Sequence, residues 1–178
     1  MLPLPSLLVR SRLIVLARDP RLIAVHRGGS LAVADHLLLA AWAADCAARV
    51  VPIFQGERPG DSRPADAVAT AREWATGHCS IAQARSAAIA AHAAARQVQG
   101  PGVLAARACG HAAATAHMAD HELGAAFYAL RAVAGISPDD LAAERAWQLQ
   151  ALPQSVADLV RYDMRRRAEK FLGIFEGV

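Results

Sequence analysis

A chain of 178 residues that is 54% hydrophobic but only 5% aromatic is long enough to bury an ordinary core without disulfide or metal staples, and must build that core from Ala, Leu, Val and Ile. The formal charge is only +3, with Lys170 the single lysine, so composition gives no nucleic-acid-binding signature and nucleic acid is not expected as a partner. Cys46, Cys79 and Cys109 are widely spaced, odd in number and outside any CxxC pattern, which fits free, mostly buried thiols in a reducing cytoplasm.

The first residues, MLPLPSLLV, are apolar but carry Pro3 and Pro5 and lack a basic start, a poor signal peptide. No segment reaches the ~18 uninterrupted apolar residues of a membrane span, so no membrane is expected. Leu7 to Ala17 reads as a short amphipathic helix that Asp19-Pro20 would end. Leu22 to His26 and Ser30 to Ala32 flank Arg27-Gly28-Gly29, the pattern of a small β-hairpin over 22–32. Asp35 to Phe54 reads as a helix with Leu38, Trp42, Cys46 and Val50 on one side, closed or kinked by Pro52. Gln55 to Pro64 is a loop by its breakers, and Asp61 or Ser62 can cap the helix that follows to about Thr76.

Ser80 and Gln83 have capping-box spacing, which predicts a helix over about Ile81–Val98. After a break at Gly100-Pro101-Gly102, a second Ala-rich helix is expected from Val103 to Ala134 with Gly135 as its C′ residue, bent near Ala119-Asp120 or Gly124. Ser137-Pro138-Asp139-Asp140 starts a further helix that stops before Pro153. A last helix runs from Gln154 to about Leu172. The expectation is an all-α single domain, 1–178, a bundle of about six to seven helices with a small N-terminal β-hairpin.

Four of the seven histidines, His92, His111, His117 and His121, lie in this Ala-rich stretch. On one helix, Gly110, Ala114, His117, His121, Gly124 and Tyr128 would share a stripe, because steps of four and three return to the same face. A glycine inside a helix costs roughly 1 kcal/mol against Ala, so two on one stripe imply a close helix–helix seam. His117 and His121, four apart, could also share a metal ion, with His111 or His92 completing the site. HxxxH lacks the general-base Glu of HExxH, and imidazoles in a seam more often hydrogen-bond to backbone or carboxylate, so core histidines are the favoured reading. No cofactor is expected. Cys–His neighbours on a helix point about 100° apart and form no dyad by adjacency, and Arg27-Gly28-Gly29-Ser30 lacks the length and lysine of a phosphate loop. The Arg165-Arg166-Arg167 cluster reads as a macrodipole complement or as a partner for local acids.

Four segments carry a resemblance: RDPRLIAVHRGGSLAVADHLLLAAWAADCAARVVPIF at 18–54, DSRPADAVATAREWATGHCSIAQARSAAIAAHAAAR at 61–96, ARACGHAAATAHMADHELGAAFYALRA at 106–132, and RAWQLQALPQSVADLVRYD at 145–163. They resemble a bacterial family of immunity proteins of polymorphic toxin systems, the immunity-five-like class. Ala48 and Leu37 stand where the family pattern leads one to expect charge. The resemblance implies a non-catalytic cytoplasmic protein that binds and neutralises a cognate toxin. A homodimer is compatible with it. The mild positive charge would suit an acidic target or a mainly hydrophobic interface. The alternative reading is a small metal-binding protein or metal-dependent enzyme built on the histidines.

Overall fold

Small side chains and prolines decide where this chain bends. The computed structural model describes residues 18–175, and the helix expected over Leu7–Ala17 lies outside them. Among the described residues there are eight α-helices and no strand: α1 Val33–Ala48, α2 Val51–Glu57, α3 Arg63–Ala75, α4 Ile81–Ala95, α5 Gly100–Ala114, α6 Glu122–Ile136, α7 Leu141–Gln150 and α8 Gln154–Arg166. No single helix among them is long and apolar enough to cross a membrane.

The all-α class is as expected, but the hairpin is replaced by two 3-10 turns, Pro20–Leu22 and Val25–Arg27. Asp19 caps the first turn through the Arg21 amide, and the turns consume the residues a strand would need. All that remains of pairing is a bridge at Ala24 and Leu31, where Val25 N–H donates to Leu31 C=O at 3.1 Å and Leu31 N–H to Ile23 C=O at 3.0 Å. The Gly-Gly pair is a turn as read. Gly28 is left-handed at φ +84°, and a Cβ on Gly29 would lie 2.0 Å from the Ile23 carbonyl oxygen.

The expected helix Asp35–Phe54 is two helices, α1 and α2, bent by 42°. Pro52 cannot donate to the Ala48 carbonyl and its ring crowds it, so α1 ends at Ala48 and Pro52 sits in the first turn of α2. Pro101 does the same for α5: Gly100-Pro101-Gly102 is its first turn rather than a break before it. The capping box at Ser80 and Gln83 forms as predicted, with Ser80 N–H donating to Gln83 Oε1 at 2.8 Å.

The long helix expected over Val103–Ala134 is α5 and α6, separated by a turn and a 3-10 segment, Ala119–His121. Gly135 is helical, and α6 runs on to Ile136 before Pro138 forces Ser137 out of the α region. The last helix stops at Arg166 instead of Leu172, and Leu172 and Gly173 both take positive φ.

α5 is flanked by α4 and α6 and also meets α1, α2 and α3. Its Ala and Cys residues, with Gly102 and Gly110, are buried on nearly every side, as a helix apolar all round should be. This alanine-rich part of the core adjoins a second part made of larger side chains, among them Leu39, Trp42, Leu123, Leu130, Val160 and Phe171. Trp42 joins α1 to α7 by donating its indole N–H to the Gln148 carbonyl at 2.9 Å.

Candidate functional site

The interruption after α5 brings the histidines together. Thr115 bonds its hydroxyl back to the His111 carbonyl at 3.0 Å, an interaction that competes with helix continuation, and Met118 is extended. The chain turns, so Gly110 and Gly124 lie on different helices and the six-residue stripe does not exist as one surface. The glycines do permit close approach, but what approaches is imidazole. A Cβ on Gly110 would lie 2.6 Å from the His92 ring, and one on Gly124 would lie 2.5 Å from His111 Nδ1.

All four histidines singled out above join in one chain of rings. His92 meets His111 edge-on at 5.3 Å between centroids, His111 meets His121 at 5.1 Å, and His121 meets His117 at 5.3 Å. Tyr128 on α6 stacks on His111 at 5.2 Å. The Nδ1 atoms of His111 and His121 are 3.1 Å apart, so one imidazole donates and the other accepts. His117 is held by its backbone, whose carbonyl accepts from Arg27 Nη1 at 2.8 Å.

Burial opposes charge throughout the cluster. It lowers His111 to about 3, aided by the neighbouring His121, His92, Lys170 and Arg107. It lowers His121 to about 4 although Asp120 pulls the other way. His92 and His117 are also lowered, again mainly by burial. These rings are therefore neutral near pH 7, the form that binds metals.

Two nitrogens at the His111–His121 spacing could occupy two corners of a zinc tetrahedron with Zn–N about 2.0–2.1 Å. Yet among the described residues no three His, Cys, Asp or Glu side chains are placed to share an ion. The thiols are equally far from nucleophile chemistry. Burial raises Cys46 well above its ordinary value, pushes Cys109 up to about 12 and raises Cys79, and a thiol held protonated is a poor nucleophile.

Sequence reasoning missed two features beside the cluster. His36 on α1 is buried, with Nε2 2.6 Å from the Thr115 carbonyl and its ring against Trp74 at 4.7 Å, which ties α1 to the end of α5. The second is a buried ionic group: Arg167, just past α8, faces Asp163 and Glu122, both fully buried. Arg167 also donates to the Asp120 carbonyl at 3.1 and 3.2 Å, and Arg166 donates to Asp163 Oδ1 at 2.7 Å. Burial pushes Glu122 up to about 8 despite Arg167, with Asp163 and Asp120 pushing the same way. The Asp163–Arg167 spacing of four was visible in the sequence; Glu122 as the third member was not.

Next to the rings lies a cavity of about 370 Å³, whose lining includes His111, His121, Gly124, Phe127, Tyr128, Arg167, Lys170 and Phe171. Elsewhere, an open apolar groove of about 580 Å³ runs between α1 and α3, lined by Ala34, Leu37, Leu38, Ala41 and Ala75.

The architecture defines an all-α protein with an alanine-packed centre and a neutral histidine cluster beside a small cavity. A family model described as Imm-5 like putative immunity protein matches residues 29–155, and the chain belongs to that family. No curated protein and no solved structure matches it.

Proposed function

We propose that this chain is the immunity partner of a toxin–immunity pair, acting in the cytoplasm by binding a cognate toxin rather than by chemistry. The family match over residues 29–155 carries the reading. The surface adds support. A specific, stable interface needs roughly 800 Å² per partner with an apolar centre, and the α1–α3 groove is open and apolar. Around it Val33 is 68% exposed, and Arg72 and Asp45, both half-exposed, form an ion pair of 2.8 Å suited to a polar rim.

The test is co-expression with the toxin-like product of a neighbouring gene. Rescued growth and a co-purifying complex are expected, with Leu38→Asp weakening both. Failure of the unaltered chain to bind and to rescue refutes the reading. Rescue undiminished by Leu38→Asp would refute only the assignment of the groove.

A further inference from the structure

The cavity beside the histidines is not explained by toxin binding. A contiguous arc of rings outlines it: His121, His111, Tyr128, Phe127 and Phe171, with successive centroids 5.1, 5.2, 5.1 and 4.9 Å apart. Three cations line the same space, Arg18, Arg167 and Lys170, against a single carboxylate, Asp120. Arg18 Nε already neutralises Asp120 Oδ2 at 3.1 Å. Behind the wall, Asp163 is matched by Arg166 and Arg167 together, and Glu122 is biased toward its protonated form by burial. Cations therefore outnumber ionised carboxylates around the cavity.

Among the described residues, Arg167, only 6% exposed, leaves its Nε without a hydrogen bond at this wall and Asp120 leaves Oδ1 without one; behind the wall both Glu122 carboxylate oxygens are also without one. Buried polar groups are almost always satisfied; Arg167 already has the Asp163 and Glu122 carboxylates beside it, so the cation this lining leaves unpaired among the described residues is Lys170. The volume of about 370 Å³ falls in the range of small-molecule sites, roughly 300–1,000 Å³, which combine apolar walls with a few placed polar groups.

We propose that this cavity binds a small aromatic oxyanion, a planar ring bearing one carboxylate or phosphate group. The ring lies among Tyr128, Phe127 and Phe171, and the anionic group faces Arg167 and Lys170. Lys170 is exposed at the mouth and belongs to no helix, so its charge can be reversed without disturbing the core.

The experiment titrates the full chain by calorimetry with phenyl phosphate, benzoate, inorganic phosphate and benzyl alcohol, and repeats the titrations on Lys170→Glu and His121→Gln. Phenyl phosphate or benzoate is expected to bind one to one, with the stronger of the two naming the head group. Reversing Lys170 should weaken it about tenfold or more at low salt, while the melting temperature of the free protein stays put. Inorganic phosphate and benzyl alcohol, each with half of the recognised chemistry, should bind at least tenfold more weakly. His121→Gln alters the ring wall but keeps a polar side chain, and should change affinity with the mouth charge intact. Absence of saturable binding by both aromatic anions overturns the proposal. So does benzyl alcohol binding as well as they do, or affinity unchanged in both variants, which would place the ligand elsewhere.

Discussion

Gly124→Ala separates the observed packing from the seam that periodicity suggests. In an open helix interior, replacing Gly by Ala gains roughly 1 kcal/mol. Here the new Cβ would lie 2.5 Å from His111 Nδ1 and 2.8 Å from its Cγ, so the ring must move. His111 is wedged between His92, His121 and Tyr128, and its displacement gives up the 3.1 Å bond to His121. Overpacking of this kind costs about 1–3 kcal/mol and the lost hydrogen bond about 0.5–1.5. Set against the helix gain, the net loss is about 2 kcal/mol. For a chain of this size that lowers Tm by about 4–8 °C. The assay is thermal and urea unfolding of Gly124→Ala in the parent and in His111→Ala, with Gly56→Ala as a control whose Cβ meets nothing within 4 Å. In the His111→Ala background the clash is gone and Gly124→Ala should be neutral or stabilising. Equal losses in both backgrounds, or a higher Tm in the parent, would refute the wedge.

Acid should weaken the fold through the histidines. His111 titrates near 3 and His121 near 4 when folded, against 6.5 for a free histidine, so below about pH 6.5 the unfolded chain binds more protons and stability declines as pH falls toward 4. His111→Gln should flatten that limb in urea melts taken across the range; an unaltered slope counts against a buried neutral ring. Glu122 acts in the opposite sense: raised from 4.5 to about 8, it contributes stability that is full below about 4.5 and lost as pH rises through 8, and Glu122→Gln should flatten that rise-dependent loss. A chelator at neutral pH should leave Tm unchanged, whereas a drop comparable to that of mild acid would revive the metal reading. Gly29→Ala, whose Cβ would meet the Ile23 carbonyl oxygen at 2.0 Å, should cost about 2 kcal/mol and expose the Leu31 amide to hydrogen exchange, since that amide's bond to Ile23 closes the loop.

Much of the helical content was legible because its signals are local. The Ser80–Gln83 box acts within one turn, and Pro52 and Pro101 act on the carbonyl four residues back or through their own missing N–H, so their effects need no tertiary partner. Local chemistry alone does not say whether a proline opens a helix or closes one. Pro52 does both, ending α1 and starting α2. The hairpin failed for a related reason: Gly28-Gly29 does specify a turn, but a turn specifies strands only when the flanking chain stays extended, and the 3-10 turns Pro20–Leu22, capped by Asp19, and Val25–Arg27 wind that chain instead.

The histidine cluster shows a different limit. Periodicity assigns residues to a shared face only while the helix continues, and the Thr115 back-bond with the extended Met118 ends it between Ala114 and Glu122. The inference from glycine survives that failure in altered form. Glycine in a helix interior points to close approach, and at Gly110 and Gly124 what approaches is a ring, His92 from α4 and His111 from α5. A backbone gap filled by an imidazole requires the ring to be neutral and oriented, which the depressed titration of His92 and His111 supports. The alanines of α4, α5 and α6 thus bring the helices close, while the glycines set where side chains as large as histidine can stand between them. Because those gaps lie at the end of α5 next to the Arg167 wall, the same break that spoiled the predicted stripe also opens the cavity, and ring packing and cavity shape should change together in Gly124→Ala.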